Sequence, residues 1–322
     1  MKAVGITQFG GPETLQPMAL PQPEPREGQL LVKVHACAAN PVDYKIRKGL
    51  LPMKFEFPLI VGYDVSGVVE AVGEGVADFV PGDAVYYSPE LAFQGAYAEY
   101  HVVDAGIVTF KPDGLTHVEA ASVPLCGMTA WQALFDRAGL RGGETVLVHG
   151  AAGGVGAMAI QLAAWSGCEV YATAGPENHD YLEDLGADVI IDYRSHDFVE
   201  AVRDATKGRG VDVVLDTVGG EVFARSFTAL APQGCVVAIA PEAMGGVSLE
   251  ALAPAFFKNA EAHFHLMQRR RDTLDQLARL LERGFLDPVV ESVLPLERAA
   301  EAHRRLETGH GRGKVVLEIV KG

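Results

Sequence analysis

The glycines of residues 146–156, in the run Val-Leu-Val-His-Gly-Ala-Ala-Gly-Gly-Val-Gly, could bind a dinucleotide. An apolar stretch precedes them and an alanine-rich stretch follows, which predicts a strand, a tight turn and a helix. Without Cβ atoms, Gly153 and Gly154 let the backbone approach a pyrophosphate, which the helix N-terminus attracts. Gly156 lets that helix pack closely on the sheet. Ala151 stands where the standard fingerprint has glycine, so a turn without a ligand is the alternative.

The residues after the second predicted strand decide between NAD and NADP. An acid at the tip of that strand binds the ribose hydroxyls of NAD, but residues 172–176 include no carboxylate. Its absence removes the repulsion against a 2′-phosphate and favours NADPH, although Glu177 lies slightly later. No Arg or Lys follows within the next dozen residues, and the nearby donors are Asn178, His179 and Tyr193. We therefore predict NADPH, with NADH as the alternative.

Composition and charge restrict the partners. The 322 residues include 27 Lys and Arg against 42 Asp and Glu, which gives a formal net charge of −15. This charge repels phosphate backbones and anionic headgroups, so we expect neither nucleic acid nor membrane as a partner. Residues 145–168 carry no charged side chain, but their glycines favour a buried strand, turn and helix over a membrane span.

The four cysteines indicate a reducing compartment. Cys37, Cys126, Cys168 and Cys235 are far apart, and none forms a Cys-x-x-Cys pair. A disulfide framework and a structural zinc site of four close thiolates are therefore excluded. No long apolar stretch follows the first residues, so we predict no signal peptide and a cytoplasmic protein.

Two patterns of secondary structure divide the chain. Short strands punctuated by Gly and Pro fill residues 1–120, which predicts a compact β unit such as a partly closed barrel. From about residue 120, apolar strands alternate with helical stretches, which predicts a doubly wound parallel sheet. The strands predicted for this sheet are Thr145–His149, Glu169–Ala174, Val189–Asp192, Val211–Asp216, 235–240 and an edge strand at 262–267.

Helices are predicted between these strands and in the C-terminal tail. Those of the sheet region cover 154–165, 177–185, 196–207 and 221–230. The tail has an amphipathic helix, a strand at 289–294, a helix near 296–307 and a final strand at 314–320. The apolar face of the amphipathic helix carries Leu274, Leu277, Leu280 and Leu281.

Ordered motifs run along the whole chain: Met1-Lys-Ala-Val, Phe9-Gly-Gly-Pro, Ala38-Ala-Asn-Pro-Val-Asp, Gly62-Tyr-Asp-Val-Ser-Gly, Val80-Pro-Gly-Asp, Gly95-Ala-Tyr-Ala-Glu, Met128-Thr-Ala-Trp-Gln-Ala-Leu, residues 151–156 and Gly313-Lys-Val-Val. With these motifs the chain resembles the zinc-free medium-chain dehydrogenases/reductases of the quinone oxidoreductase (zeta-crystallin-like) branch. The resemblance implies an α/β fold in which residues 1–123 and 269–322 form a GroES-like β domain. Residues 124–268 would form an inserted Rossmann domain that binds NADP(H).

The resemblance also bears on metal binding. Zinc-dependent relatives carry a Cys at the position of Asn40, a His-Glu pair at Tyr63-Asp64, and a Cys near Leu125, one position from Cys126. Catalytic zinc needs three protein ligands, so we expect no metal. Without a Lewis acid, the implied reaction is hydride transfer from NADPH to an already activated acceptor, a quinone or an α,β-unsaturated carbonyl.

The resemblance assigns catalytic roles to Asn40, Tyr44 and Lys45. Asn40 would lie near the nicotinamide, Lys45 near the substrate oxygen, and Tyr44 would supply a hydroxyl or a wall. Lys45 could equally be a surface lysine, and Asp43 a helix cap. The cofactor-binding residues, from the turn and the resemblance together, are Asn40, Thr129, Ala152, Gly153, Gly154, Val155, Ala174, Gly175, Asn178, His179, Tyr193, Val218, Ala240, Gly313 and Lys314.

Two other functions stay open at this point. One is a zinc-free carbonyl or alcohol dehydrogenase, and the other is a non-catalytic NADPH-binding protein of the crystallin type. The partner in the preferred function is a small-molecule quinone or enone. Relatives pair the edge strand at 262–267 across a two-fold axis, so the resemblance also implies a homodimer.

Overall fold

The computed structural model describes residues 1–240, 247–248 and 250–320, and all the candidate site residues lie within these ranges. The chain forms two compact units. Unit 1 contains residues 1–128 and 269–322, and unit 2 contains residues 129–268. Across the described ranges, no helix is both long and apolar enough to cross a bilayer.

The first part of unit 1 is built from short strands and two short helices. Its elements are β1 (Lys2–Ile6), β2 (Gln16–Ala19), β3 (Gln29–Ala38), α1 (Pro41–Arg47), β4 (Leu59–Ile60), β5 (Val65–Val72), β6 (Ala84–Tyr87), β7 (Tyr100–Asp104), β8 (Thr109–Phe110) and α2 (His117–Ala121). The chain then passes from unit 1 into unit 2 within α3 (Pro124–Trp131).

Unit 2 is the predicted doubly wound sheet. After a π-helix at Gln132–Arg137 come β9 (Thr145–His149), α4 (Gly154–Trp165), β10 (Glu169–Ala174), α5 (His179–Asp184), β11 (Val189–Asp192), α6 (Phe198–Ala205), β12 (Val211–Asp216), α7 (Glu221–Ala229), β13 (Leu230–Ala238), α8 (Ala253–Lys258) and β14 (Glu261–Phe264). The strands lie in the order β11-β10-β9-β12-β13-β14, and all are parallel. Their carboxyl ends therefore share one edge, the ligand-binding edge of such sheets.

The C-terminal tail returns to unit 1. Its elements are α9 (Arg271–Glu282), β15 (Val290–Pro295), α10 (Ala299–Glu307) and β16 (Lys314–Glu318). Strand β16 pairs antiparallel with β3, with Val316 opposite Ala38, so both chain ends build one sheet. That sheet has the order β15-β16-β3-β5-β6-β8, with β7 also paired to β3, and a smaller sheet has the order β2-β1-β4.

The predicted elements of the sheet region are confirmed, with differences at some ends. Strands β9 to β12 and helix α4 have the predicted bounds. Strand β13 begins at Leu230 rather than at 235, because Leu230 already pairs with Val211 before a bulge in which Gln233 has φ 64°. Strand β14 ends at Phe264 rather than at 267, because its partner β13 ends at Ala238.

The tail helix packs as its apolar face predicts. Leu274, Leu277, Leu280 and Leu281 of α9 are all buried. The predicted helix near 296–307 is a short 3-10 turn at Leu296–Arg298 followed by α10.

Candidate functional site

The glycine turn of unit 2 leaves its backbone open at the ligand edge. Strand β9 ends at His149, Gly150 takes a φ of +65°, and α4 begins at Gly154. A Cβ on Gly156 would lie 2.6 Å from the carbonyl oxygen of Gly150, so close helix packing requires glycine there. The nearest atom to a Cβ on Gly153 would be 3.4 Å away. Protein packing therefore does not require glycine at Gly153, and the open turn fits a pyrophosphate.

His149, directly before this turn, is a structural residue. Its Nδ1 lies 3.0 Å from Oγ1 of Thr173 and its Nε2 lies 3.2 Å from Oγ of Ser226. Burial, with a contribution from the charge of Arg225, lowers its pKa to about 3, so the ring is neutral. The ring is bonded on both sides within the core, as its place on an apolar strand predicts.

An ion pair between Arg194 and Glu177 lies next to the C-terminal end of β10. Arg194 donates to both carboxylate oxygens of Glu177, at 2.9 and 2.6 Å. A Cβ on Gly175 would lie 2.7 Å from both of these side chains. The sequence prediction found no positive group near this strand end, because Arg194 is distant in sequence. The pairing register of β10 with β11 could have indicated Arg194. Ala174 pairs with Asp192, so the residues after Asp192 lie beside Gly175.

The other candidates in unit 2 follow its strands or begin its helices. Tyr193 is 49% exposed, and the guanidinium of Arg194 lies 5.6 Å from its ring centre. Val218, after β12, is 51% exposed. Thr129 is buried in α3, and Ala240 follows β13. The remaining candidates of unit 2 are Ala152 and Val155 at the turn, Ala174 at the end of β10, and Asn178 and His179 at the start of α5.

Three buried polar side chains form a cluster in unit 1. The ammonium of Lys314 lies 2.8 Å from Oδ2 of Asp64 and also donates to Oδ1 of Asn40. The amide of Asn40 donates to the same Asp64 oxygen at 2.9 Å. The exposed fractions are 3% for Lys314, 1% for Asn40 and 0% for Asp64. The structure thus brings together two predicted site residues, Asn40 and Lys314, and adds Asp64.

The backbone around the cluster places each of its members. Asn40 follows β3 and precedes α1, whereas Lys314 opens β16 beside the end of β3. Gly313 turns the chain into β16 with φ +67°, where a Cβ would lie 2.3 Å from Cγ1 of Val289. The other carboxylate oxygen of Asp64 accepts the backbone N–H of Leu125 at 2.7 Å.

The ammonium of Lys314 is held by protein acceptors. It donates to two protein oxygens, Oδ2 of Asp64 and Oδ1 of Asn40. Burial has the largest single effect and would lower the pKa of Lys314, but the charge and hydrogen bond of Asp64, together with the charges of Cys126 and Asp43, outweigh burial and raise it. Lys314 is therefore a buried positive charge held by oxygens of unit 1.

A second buried chain of hydrogen bonds lies beneath α1. Arg47 lies 3.4 Å from Nδ1 of His303, whose Nε2 lies 3.2 Å from the hydroxyl of Tyr97. That hydroxyl donates to Oδ2 of Asp43 at 3.0 Å, and the N–H of Asn40 donates to the same oxygen at 2.8 Å. Because arginine only donates, the proton of His303 sits on Nε2. All the donors in this series of hydrogen bonds therefore point toward Asp43. The N-cap of α1 is Asn40 rather than Asp43, and Asp43 caps the helix from the N3 position, where its carboxylate accepts the N–H of Asn40.

Asp43 has an unusual protonation equilibrium. Burial raises its pKa to about 7, opposed by the N–H of Asn40, the charge of Lys314 and the hydroxyl of Tyr97. Its Oδ1 has no hydrogen-bond partner among the described residues. His303 stays neutral, because burial and the charge of Arg47 lower its pKa to about 3.

Helix α1 also carries the two candidate reacting groups. Tyr44 and Lys45 are half-buried, whereas Asp43 and Ile46 of the same helix are buried. The ammonium of Lys48 lies 5.3 Å from the ring centre of Tyr44. The buried side of α1 thus anchors the helix in unit 1. Its partly exposed side carries the hydroxyl of Tyr44 and the ammonium of Lys45.

Comparison with known proteins assigns the family. The model of the alcohol dehydrogenase GroES-like domain matches residues 26–113, and that of zinc-binding dehydrogenase matches residues 185–317. Human quinone oxidoreductase is 32% identical over 324 residues, which cover 98% of this chain and 97% of that protein. The chain belongs to the quinone oxidoreductase family of medium-chain dehydrogenases/reductases. Membership makes it an NAD(P)H-dependent oxidoreductase that acts on a small molecule.

Solved structures of this superfamily share the whole fold. A structure described as an NAD-dependent alcohol dehydrogenase has a TM-score of 0.93 at 36% identity and covers 99% of this chain and 100% of that chain. A mycobacterial protein complexed with NADPH has a TM-score of 0.89 at 33% identity, with coverages of 99% and 100%. The GroES-like and Rossmann architecture of the quinone oxidoreductase family is therefore confirmed for this chain.

One of the matching family models is named for zinc, but the residues of this chain at the corresponding positions do not fit a metal ion. The positions of the relatives' ligands, Asn40, Asp64 and Leu125 with Cys126, do come together in unit 1. At their centre lies the ammonium of Lys314, which occupies the donor atoms Asp64 Oδ2 and Asn40 Oδ1. The described residues contain no group of three or more His, Cys, Asp or Glu side chains that could hold a metal.

Proposed function

We propose that this enzyme is an NADPH-dependent reductase of quinones and α,β-unsaturated carbonyls that works without a metal. The observation that carries the proposal is the contact of Lys314 with Asp64 and Asn40. An ammonium that is bonded to Asp64 and Asn40 cannot coordinate a substrate oxygen as a Lewis acid does. The acceptor must therefore already be activated, as a quinone or a conjugated carbonyl is.

The residues of α1 supply a hydrogen bond and the stabilising charge. When bound, NADPH supplies two electrons and a hydrogen nucleus as hydride, to the β-carbon of an enone or to a quinone, and becomes NADP⁺. Lys45 then stabilises the enolate or phenolate oxygen through its positive charge, and the hydroxyl of Tyr44 donates a hydrogen bond to it. A proton from solvent completes the saturated carbonyl or the hydroquinone. Lys314 and Asn40 act as positioning residues, because their polar atoms are bonded within the cluster.

The end of β10 supports NADPH as the cofactor. Arg194 is bonded bidentately to Glu177, and both side chains are about half exposed. Exposed ion pairs contribute little stability, so a 2′-phosphate can replace Glu177 as the partner of Arg194 at small cost. Glu177 could instead bind the ribose hydroxyls of NADH. Titration of the chain with NADPH and with NADH decides between the two cofactors.

The second candidate is a zinc-free alcohol or carbonyl dehydrogenase, which the similarity to a structure described as an NAD-dependent alcohol dehydrogenase favours. Unlike the proposed reductase, such a dehydrogenase has to polarise a carbonyl that is not already activated by conjugation. Of the described residues of α1, Lys45 and Tyr44 could take that task, and neither replaces the Lewis acid of the zinc enzymes.

We also propose that two copies pair through β14. Within the described part of the chain, this strand pairs only with β13, so its other edge is unpaired. Phe264 and Leu266 at this edge are 56% and 80% exposed. A two-fold pairing would cover both the backbone and these side chains.

One assay panel tests the proposed function. The purified full chain is given NADPH with 1,4-naphthoquinone, 9,10-phenanthrenequinone, 2-cyclohexenone or a 2-alkenal, and with simple ketones and alcohols as controls. We expect NADPH oxidation with at least one quinone or enone and none with a simple ketone. Turnover confined to the simple ketones and alcohols would favour the dehydrogenase. Tight NADPH binding without any turnover would indicate a non-catalytic binding protein.

A further inference from the structure

A cavity opens in unit 2 at the edge of the sheet opposite the glycine turn. It has a volume of about 180 Å³, and its lining includes Gly210, directly before β12, and Leu230, which begins β13. Strand β12 runs from Val211 to Asp216. Five steps of about 3.3 Å put the start of this strand roughly 16 Å from its end. The cavity is therefore separate from the carboxyl edge, where a dinucleotide binds.

The lining of this cavity is positively charged. Three of the 27 Lys and Arg side chains of this acidic chain line it, namely Arg203 of α6, Arg209 and Lys258 at the end of α8, and the lining includes no Asp or Glu. Arg209 is paired with Asp212. Arg203 and Lys258 form no ion pair with any carboxylate that the structure describes. The cavity thus holds two positive charges that are not neutralised.

Lys258 is fixed in the wall of the cavity by backbone oxygens. Its ammonium donates to the carbonyl of Thr228 at 2.6 Å and also to the carbonyl of Leu230. Because an ammonium has three N–H groups, the third is free to bind a ligand. Burial, with a contribution from the charge of Arg203, lowers the pKa of Lys258. The two cations therefore repel each other in the free chain, and an anion bound between them would stabilise both.

We propose that this cavity binds the phosphate group of a small phosphate monoester. Arg203 presents parallel N–H groups, which bind phosphate oxygens bidentately, and Lys258 acts as a point charge. A phosphate monoester carries a charge of about −1.5 to −2 at pH 7 and three acceptor oxygens, which matches two cations. Val199 and Leu230 form an apolar part of the lining against which a carbon chain can pack.

The volume of the cavity restricts the size of the ligand. Sites for drug-sized molecules and cofactors measure roughly 300–1,000 Å³, which is well above the 180 Å³ found here. The cavity therefore fits a phosphate with a short carbon chain, such as glycerol 3-phosphate, rather than a nucleotide.

The test measures the binding of glycerol 3-phosphate, inorganic phosphate and succinate to the full chain by calorimetric titration. We expect glycerol 3-phosphate to bind most tightly, because it combines the phosphate with a carbon chain. Arg203→Gln should weaken its binding by about tenfold or more, since a charge-assisted bidentate pair is lost. Arg203→Lys, which keeps the charge, should lose less, and Lys258→Gln should also weaken the binding.

Two further variants show where the phosphate binds. Arg141→Gln is the matched control, because Arg141 is an exposed arginine before β9 that does not line the cavity, and it should bind as the wild type does. Arg194→Gln tests the cofactor edge, where the phosphate groups of NADPH bind in the proposed function. Binding that Arg194→Gln retains and Arg203→Gln loses would support the cavity, and the reverse pattern would overturn the inference.

The remaining outcomes are equally decisive. A wild-type chain that binds none of the three anions would overturn the inference, and so would one that binds succinate as tightly as glycerol 3-phosphate. Unchanged binding by both Arg203→Gln and Lys258→Gln would also overturn it. Because Arg203 is exposed, we expect Arg203→Gln to fold, and thermal unfolding followed by circular dichroism checks this.

Discussion

The ammonium of Lys314 and the carboxylate of Asp64 form a buried ion pair, with Nζ 2.8 Å from Oδ2 and both side chains almost completely removed from solvent. The two residues are 250 positions apart in the chain. Their contact joins β16, the last strand of the C-terminal return, to the residue before β5. It also fixes the side chain of Asn40, which bonds to both.

The effects of replacing Lys314 and Asp64 on the free energy of unfolding should be strongly coupled. Lys314→Met leaves a buried carboxylate without its cation, and Asp64→Asn leaves a buried ammonium without its anion, so each should lower the free energy of unfolding by about 3–5 kcal/mol. The double variant should lose less than the sum of the two, because neither charge is then unpaired. Urea unfolding measures all three, with the exposed Arg298→Gln as a control that should change little. Additive losses would contradict the coupling.

Arg194 should decide the cofactor. Arg194→Gln removes the proposed partner of the 2′-phosphate, so the Kd for NADPH should rise by about tenfold or more while that for NADH stays the same. Arg209→Gln is the matched control, because Arg209 pairs with Asp212 at the start of β12, at the opposite end of the strands. Fluorescence titration with both cofactors gives the values. Equal losses for NADPH and NADH would remove Arg194 from 2′-phosphate recognition, and tighter wild-type binding of NADH would overturn the choice of NADPH.

Lys45 should act on turnover rather than on cofactor binding. Lys45→Ala removes the charge that stabilises the enolate or phenolate oxygen, so kcat on a quinone or enone should fall by at least about tenfold. NADPH affinity should stay nearly unchanged. Lys54→Ala, at an exposed position of the same unit, serves as the control. Steady-state kinetics measures both, and an unchanged kcat would take Lys45 out of the mechanism.

Asp43 should make stability depend on pH. Its pKa rises from 3.8 to about 7 on folding, so between these values the folded state binds a proton that the unfolded state has lost. Stability from this group is therefore present below pH 4 and falls as the pH rises to 7, by about 4 kcal/mol in full. Asp43→Asn keeps an oxygen for Tyr97 and Asn40 but does not ionise. Its free energy of unfolding should therefore increase relative to that of the wild type as the pH rises.

Urea unfolding at pH 5 and pH 8 measures this difference. The wild type should lose stability relative to Asp43→Asn between the two values by about 3 kcal/mol. The exposed Asp113→Asn is the control and should run parallel to the wild type. A constant difference between wild type and Asp43→Asn would show that Asp43 does not titrate in this range. Lys314, Asp64 and Arg47 also face this region, and none of them is changed in the comparison.

The sequence predicted the fold of unit 2 well, because local patterns of apolar residues identify its strands and helices. An apolar run such as Val211–Asp216 between two helical stretches can only be a buried parallel strand. The start of β13 was missed for the opposite reason. Leu230 is a strand residue only because it pairs with Val211, and that pairing spans a bulge at Gln233 that no local pattern indicates.

The candidate site was predictable in part. The resemblance named Asn40 and Lys314, but not that Lys314 bonds to Asp64, since this contact joins distant parts of the chain. Arg194 was not predicted, because it follows the neighbouring strand β11 rather than β10 in the chain.

Metal-free hydride transfer by this enzyme can be tested directly with one measurement. The full chain is dialysed against a chelator, its metal content is checked, and it is given NADPH deuterated at C4 with 2-cyclohexenone or 1,4-naphthoquinone. We expect turnover equal to that of the untreated protein, one NADPH consumed per acceptor reduced, and, for the enone, deuterium at the β-carbon of the product by mass spectrometry. Loss of turnover on chelation that zinc restores would contradict the claim.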